Sequence, residues 1–458
     1  MRECKDGWAL LVPGKQGWRC MPVADRAIVG RARDCDIVVE APGVAGRQCR
    51  LQDVGGVLTA TDLGTEVETL LRHKPLGPRA QNLHSGDVLR LGRVPVVVVR
   101  YGQRRHQPWV QLGDLGSASA RMWQTFADLA LASATAGPQL LLGESGCGKE
   151  LAARVVHDRS PRGQGPWVAV NCAALHGDTL LAELFGAVKG AYTGAVESRK
   201  GAFERADGGT LFLDEVGELS SAAQACLLRA LEVGEIQVLG GPVRKVDVRL
   251  VCATHRDLRR EVAAGRFRLD LLHRLSVTET QLLPLRERTC DIMPLLEEHL
   301  GGLPLPRGSR EFLASHAWPG NVREVRNVAR RLQVQACYGE PTWDELRRAV
   351  GPIQAPGGTS ARAPLPPEDD EPPPPRLASA DERRRNVADL LARASTLDAW
   401  RQTVALPDGR LLTAGAARAE CKPSARRTAL KCAKSAAFLT AMSGREDRVA
   451  PALACGPA

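Results

Sequence analysis

The chain has 458 residues, 44% hydrophobic and 25% charged, with a formal net charge of +10. That length leaves room for roughly two to four domains with ordinary cores, and the positive excess favours polyanionic partners, nucleic acid first. Thirteen cysteines without one C-x-x-C pair argue against a zinc site or a disulfide framework.

Cys147, Cys172 and Cys252 fall in strand-like runs or in a glycine-rich loop and read as reduced, small hydrophobes. No basic-then-apolar leader opens the sequence, and no apolar run approaches the roughly 20 residues that span a bilayer. A cytoplasmic protein is expected.

Residues 1–105 are short β-type runs separated by Gly, Asp and Pro, among them Arg26–Gly30, Asp36–Glu40 and Val96–Arg100. They predict an all-β module. From Ser117 to Val350 apolar strand-like runs alternate with amphipathic helical stretches, the α/β pattern of a parallel sheet. Residues 351–376 hold Pro352, Pro356, a Gly-Gly step, the acidic run Glu368–Glu371 and Pro372–Pro375, and predict an extended, disordered linker. The last segment, 377–458, is basic and rich in Ala, Arg and Ser.

Gln139–Leu142 is an apolar strand that runs into Gly143, Glu144, Ser145, Gly146, Cys147, Gly148 and Lys149, then a helix from Glu150. This is G-x-x-x-x-G-K in its strand–loop–helix setting. Its glycines turn backbone N–H groups toward phosphates, the helix N-terminus adds a favourable dipole, and Lys149 adds a mobile charge. Glu150 stands where Ser or Thr usually follows the lysine. Downstream, Gly208–Glu215 is a buried strand that ends in two carboxylates, costly unless they serve metal binding or acid–base work. Asp214 is expected to hold Mg²⁺, directly or through water, and Glu215 to polarise the water that attacks ATP.

Residues 115–350 resemble the central AAA+ domain of sigma-54-dependent activators, the bacterial enhancer-binding proteins. The resemblance is carried by Gly143–Glu150, Val168–Cys172, Glu183–Gly186, Arg266–Leu275, Pro284–Arg288 and Trp318–Glu324. Its most specific piece is Gly190, Ala191, Tyr192, Thr193, Gly194 and Ala195, which resembles the loop that grips sigma-54, usually written with Phe where Tyr192 stands. Glycines at both ends permit a hinge, and an exposed aromatic beside a hydroxyl makes an adhesive tip.

The resemblance implies an α/β core over 117–285, a helical lid over 286–350, and a hexameric ring that acts on sigma-54 RNA polymerase holoenzyme. It also implies residue roles. Asn171 would restrain the catalytic glutamate. Arg268 and Arg274 would reach the neighbouring subunit's ATP, and Arg323 would sense the γ-phosphate. His255 stands where the family usually has an Asn that orients the attacking water, so hydrolysis is expected to be slower or pH-sensitive.

The β module resembles a forkhead-associated domain, a sandwich that reads phosphothreonine. The matching pieces are Gly30-Arg31, Asp36–Val39, Arg47, Asp62–Thr65 and Gly86–Gly92. Arg31 and Arg47 would pair with a phosphate beside Thr65. Gly46, Cys49, Val67 and Glu68 replace the family's Ser, His and Asn-Gly, so weak phosphothreonine binding and a plain protein–protein contact both remain open. By family the C-terminal segment would carry a DNA-binding helix-turn-helix, with candidate helices at Asp381–Ala394, Arg410–Ala419 and Ala425–Ala437. A disordered or altered basic tail is the other reading. The function expected of the whole is an ATP-hydrolysing transcriptional activator, with a non-hydrolysing signalling scaffold as the alternative.

Overall fold

The computed structural model describes residues 7–15, 17–104, 107–175, 177–192, 197–336 and 340–351, with the backbone of two short strands at 403–405 and 411–413. Two compact units divide the chain: one runs to Leu295 and takes in His316–Val325, and the other holds Leu296–Ser315 and the chain from Arg326 onward.

The first unit begins with a β-sandwich. One sheet comprises β1 (Gly7–Gly14), β2 (Gly17–Val23), β7 (Thr69–Leu71), β8 (Lys74–Pro75), β10 (Val88–Leu91), β11 (Val94–Arg104), β12 (Gln107–Leu112) and β13 (Leu115–Ser117). The other comprises β3 (Arg26–Gly30), β4 (Ile37–Val38), β5 (Cys49–Val54), β6 (Val57–Asp62) and β9 (Gln81–Asn82). Val96 to Val99 are all β-branched, which favours a pleated strand. Alternate residues point to opposite faces. Val96 and Val98, with Leu10 and Val12, fill the sandwich between the sheets. Val97 and Val99, with Ala9 and Leu11, face the other way and are as deeply buried.

What buries them is the domain that follows. α1 (Ala120–Ser133) and α2 (Lys149–Asp158) pack on that outer face, and Phe126, Ala130, Ala152 and Val156 join Val97, Val99 and Val110 in one apolar cluster. The other side of these helices meets a parallel sheet of order β15–β16–β19–β14–β20, formed by Trp167–Asn171, Thr210–Asp214, Arg249–Thr254, Gln139–Leu142 and Thr278–Gln281. Phe212, Val251 and Ala253 complete the cluster from that sheet. Between two sheets, α1 must be apolar on more than one stripe, and it buries Met122, Phe126, Ala127, Leu129 and Ala130. Arg249 caps it from within, donating to the carbonyls of Ser133 and Ala132 at 3.0 and 2.7 Å. Both carbonyls belong to the last helical turn, where C=O groups lack an i+4 partner within the helix. Burial pulls this guanidinium down to about 10.

The far face of the parallel sheet is covered by α3 (Gly177–Phe185), α5 (Ser221–Val233) and α7 (Leu269–Leu275), through Leu184, Leu227 and Leu271. Short helices α4 (Ala202–Arg205) and α6 (Leu258–Ala263) and the hairpin β17–β18 (Glu235–Gln237, Val243–Lys245) fill the connections. Four further helices follow: α8 (Ile292–Leu300), α9 (Ser309–Ser315), α10 (Asn321–Gln335) and α11 (Trp343–Val350). In the second unit Phe312 meets Trp343 edge to face at 5.9 Å, and Arg331 donates to the Ala349 carbonyl at 2.7 Å. Among the described residues no helix is long and apolar enough to cross a membrane.

Two findings depart from the sequence reading. The β module does not stop at residue 105: β12 pairs with β11 and β13 with β12, so the sheet continues to Ser117. In the tail, Leu411–Thr413 pairs antiparallel with Thr403–Ala405, where a helix over Arg410–Ala419 was expected. The candidate helices Asp381–Ala394 and Ala425–Ala437, and the linker from 352 onward, lie outside the described residues.

Because Phe126 lies in a cluster built by the sandwich and the ATPase-like core together, Phe126→Ala should cost about 3–5 kcal/mol. Calorimetry should show the two halves melting as one transition that moves down as a whole. Two separate transitions, only one of them shifted, would contradict the shared core.

Candidate nucleotide-binding site

β14 ends at Leu142 and the chain turns through Gly143–Gly148 into α2. Two positions there need glycine. Gly146 has φ 77°, and a Cβ on it would stand 2.3 Å from the Gly320 carbonyl. Gly148, φ 109°, is the left-handed N-cap of α2. Lys149 is buried at the start of the helix and donates to the carbonyls of Gly143 and Glu144 at 2.8 and 3.3 Å. Cys147 is buried, and that burial pushes its thiol up from its ordinary range.

The carboxylates at the end of β16 converge on the same loop. Glu215 Oε1 lies 3.6 Å from Lys149 Nζ. Burial would raise the Glu215 carboxyl, but the His255 hydrogen bond and the Lys149 charge together hold it below the usual range. Asp214 moves the other way, raised by burial and by the adjacent Glu215. Its Oδ1 accepts the Glu215 backbone N–H at 3.0 Å. Glu215 also adopts φ 54°, a conformation that costs a non-glycine residue about 1–2 kcal/mol. Such strain is concentrated at functional sites.

Asn171 stands on β15 directly across from Asp214. Its Nδ2 is 3.5 Å from Asp214 Oδ2, and its Oδ1 accepts from Ala173 N at 2.9 Å. Glu215 Oε2 has His255 as its neighbour, with His255 Nδ1 at 2.6 Å and the His255 backbone N at 3.3 Å.

Arg323, at the start of α10, donates to the Ser145 hydroxyl at 2.9 Å, so it stands at the loop. Three contacts around the loop belong to residues to which the sequence reading gave no role. Arg286 makes a two-pronged pair with Glu144 at 2.6 and 2.7 Å and holds that carboxyl below its usual range. Asn321, fully buried, accepts from Leu285 N at 2.7 Å and donates to Glu144 Oε2 and the Ser145 carbonyl at 3.2 and 3.1 Å. Arg288, also buried, donates to the Cys147 carbonyl at 3.0 Å. The segments Pro284–Arg288 and Trp318–Glu324 were visible as family motifs; their aim at the P-loop was not.

Arg268 and Arg274 sit on α7 and its N-cap, paired with Asp270 at 2.7 Å and Glu232 at 3.5 Å. Glu150 is exposed on the first turn of α2. Of the sigma-54 loop, Gly190 (φ 80°), Ala191 and Tyr192 are described, and Tyr192 is half-buried rather than fully exposed. Thr193, Gly194 and Ala195 lie outside the described residues. The base of the loop is pinned where Ala187 bridges both Arg199 and Leu239.

In the sandwich, Arg31 and Arg47 are exposed on adjoining loops, joined by Arg31 N to Ala45 O and Ala32 N to Gly46 O, both at 2.9 Å. Thr65 is half-buried and donates its hydroxyl to the Val67 carbonyl at 3.0 Å. Buried Gln48 ties these loops together, accepting from Ala45 N at 2.8 Å and donating to Val67 O at 2.7 Å.

Fold and loop together define a P-loop nucleotide-binding domain of AAA+ type behind a β-sandwich. Residues 115–281 match the family model of the sigma-54 interaction domain, and residues 27–92 that of the FHA domain. The chain is 48% identical over 236 residues to the Nif-specific regulatory protein of Azotobacter vinelandii, covering 50% of this chain and 45% of that protein. It is 51% identical over 207 residues to the anaerobic nitric oxide reductase transcription regulator NorR of Escherichia coli (strain K12), covering 43% and 41%. The matches thus span less than half the length of these relatives. Among solved structures it is similar to NtrX from Brucella abortus in complex with ATP, at 28% identity, 70% coverage of each chain and a TM-score of 0.49. The chain thus carries a sigma-54 interaction domain over residues 115–281, preceded by a forkhead-associated domain over residues 27–92.

Asn321 holds three backbone or side-chain groups and adopts φ 51°. Asn321→Ala should lose about 2–4 kcal/mol, from an unpaired buried Leu285 N–H and the left-handed backbone. Asn321→Gly should lose about 1 kcal/mol less, since glycine tolerates that backbone. Denaturant titration of both variants checks the difference; equal losses would remove the backbone contribution.

Proposed function

We propose that this chain is an ATPase that works as a ring and remodels sigma-54 RNA polymerase holoenzyme, and so activates transcription. The observation that carries the reading is the arrangement at the P-loop: Lys149 at its end, Arg323 on Ser145, and Glu215 beside Lys149 with Asp214 next to it in the chain. The Gly190–Ala195 loop, and the regulatory proteins to which the chain is similar, support sigma-54 as the target.

In this reading Lys149 leaves the carbonyls of Gly143 and Glu144 and takes the β- and γ-phosphates of ATP. Arg323 moves from Ser145 toward the γ-phosphate. Glu215 polarises water, which requires that His255 release or share it. Asp214, half-buried at the strand end, fits Mg²⁺, which uses one or two carboxylates plus phosphate and water oxygens. That ion would neutralise charge on the phosphates. Asn171, beside Asp214, restrains the catalytic Glu215. Arg268 and Arg274 exchange Asp270 and Glu232 for the phosphates of the next subunit in a hexamer, a contact worth about 10³–10⁵ in rate in comparable enzymes. The basic segment 377–458 would contact DNA, and Arg31 and Arg47 a phosphothreonine protein. A cytoplasmic location goes with these partners.

One observation favours the second reading, a non-hydrolysing scaffold: His255 clamps Glu215 at 2.6 Å. Lys149→Ala should abolish ATP binding, and Glu215→Gln should retain binding while losing turnover by about 100-fold or more. Nucleotide affinity and phosphate release separate the two. Normal hydrolysis by Glu215→Gln removes Glu215 from the mechanism. A wild type that binds ATP without turnover, with turnover restored in His255→Asn, establishes the scaffold instead.

The sigma-54 assignment has its own test. Thr193→Ala should keep most ATPase activity and lose capture of sigma-54 in the presence of a transition-state nucleotide mimic. Undiminished capture, with promoter opening intact, would reject the loop as the gripping element.

A further inference from the structure

The peptide that joins Cys147 to Gly148 is held from behind. Its carbonyl accepts from Arg288 Nη2 at 3.0 Å, and Arg288 Nη1 lies 3.5 Å from Asp291 Oδ2. Both side chains are almost wholly buried. Asp291 turns its oxygens the other way as well: Oδ2 accepts the Ser117 hydroxyl at 2.6 Å, and Oδ1 accepts the Ala118 N–H at 2.7 Å. Ser117 is the last residue of β13 and stands across from Val110 of β12, which pairs with β11 in the forkhead-associated sheet. Leu115, two residues earlier, shares an apolar cluster with Cys147, and its side chain comes within 3.4 Å of where a Cβ on Gly148 would stand.

A buried ion pair is a poor way to gain stability, because desolvation offsets most of the attraction and an apolar pair of equal size holds a core as well. What this pair supplies is direction. In a planar trans peptide the C=O of Cys147 and the N–H of Gly148 point opposite ways. Fixing the carbonyl toward Arg288 therefore fixes the Gly148 amide toward the phosphate side of the loop.

We propose that Ser117, Asp291 and Arg288 are positioning residues that set the orientation of the Cys147–Gly148 peptide, and that they anchor the P-loop to the last strand of the forkhead-associated sheet. This deepens the nucleotide-site reading and rests on it only for its consequence, that ATP affinity depends on the relay. A change in the sheet then reaches the phosphate site through one strand and three side chains, without a linker.

The test is hydrogen exchange in the nucleotide-free full-length chain, followed over residues 143–149, with ATP dissociation constants measured alongside. The variants are Ser117→Ala, Asp291→Asn and Val110→Ala. Thr125→Ala is the control, since it removes another buried hydroxyl, one that bonds the Gln281 carbonyl at 3.1 Å, apart from the relay. Ser117→Ala and Asp291→Asn should speed exchange of the P-loop, and weaken ATP binding, by about five-fold or more, the size expected for one lost hydrogen bond. Val110→Ala should speed the same segment; Thr125→Ala should not. P-loop exchange unchanged in Ser117→Ala and Asp291→Asn, or raised equally in Thr125→Ala, overturns the relay. Silence in Val110→Ala alone overturns the anchor to the sheet. If the wild type binds no ATP, the nucleotide reading fails, while the exchange result still decides the relay.

Discussion

Val96 to Val99 cannot turn either face of their strand to water, and the organisation of the first unit follows from that constraint. One face closes the β-sandwich; the other has to be covered by something else. At roughly 25 cal/mol per Å² of apolar surface, leaving Ala9, Leu11, Val97, Val99 and Val110 exposed would cost several kcal/mol. Helices α1 and α2 cover them; α2 carries the chain out of the P-loop, and α1 precedes β14, which leads into it. The forkhead-associated domain is therefore part of the packing that supports the nucleotide site.

Electrostatics at that site are arranged for a ligand of high negative charge. Lys149 is buried with backbone carbonyls and one edge of Glu215 for company. Arg286 and Arg323 are held by Glu144 and Ser145 of the loop itself. Arg286 already has a charge-assisted partner in Glu144, whereas Arg323 is held by a neutral hydroxyl and Lys149 chiefly by carbonyls, for which a polyphosphate would offer stronger, charge-assisted replacements. Glu215 is the exception. His255 Nδ1 stands 2.6 Å from its carboxylate, so any part Glu215 plays in activating water would depend on what His255 does.

Much of this was legible from the residues. G-x-x-x-x-G-K between an apolar strand and a helix, and two acids at a strand end, identify the chemistry because few other contexts tolerate those residues. The aim of Arg286, Arg288 and Asn321 was not legible: nothing local in Pro284–Arg288 or Trp318–Glu324 says that chain more than 130 residues away from Gly143–Lys149 returns to it. The end of the sandwich was misplaced at residue 105 because β12 and β13 are short and mixed in polarity, so their pairing partner, rather than their own pattern, makes them strands. A signal did exist for the docked face. An unbroken run of four valines is what a strand buried on both sides looks like, whereas a sandwich with one wet face alternates.

Docking through one sheet also decides which loops stay available. Arg31, Arg47 and Thr65 lie on loops that leave β3, enter β5 and follow β6, all strands of the second sheet. The face that meets α1 and α2 belongs to the first. A phosphopeptide at those loops and the packing of α1 and α2 would therefore make no competing demand on one surface. Within the reading loops, Gln48 satisfies Ala45 and Val67 from inside, and Thr65 has turned its hydroxyl to Val67. The loops are thus tied together from within, and the side chains of Arg31 and Arg47 are exposed there. A site of that kind attracts phosphate by charge while offering little polar grip on a peptide backbone. Its selectivity among phosphopeptides would then come from contacts outside those loops.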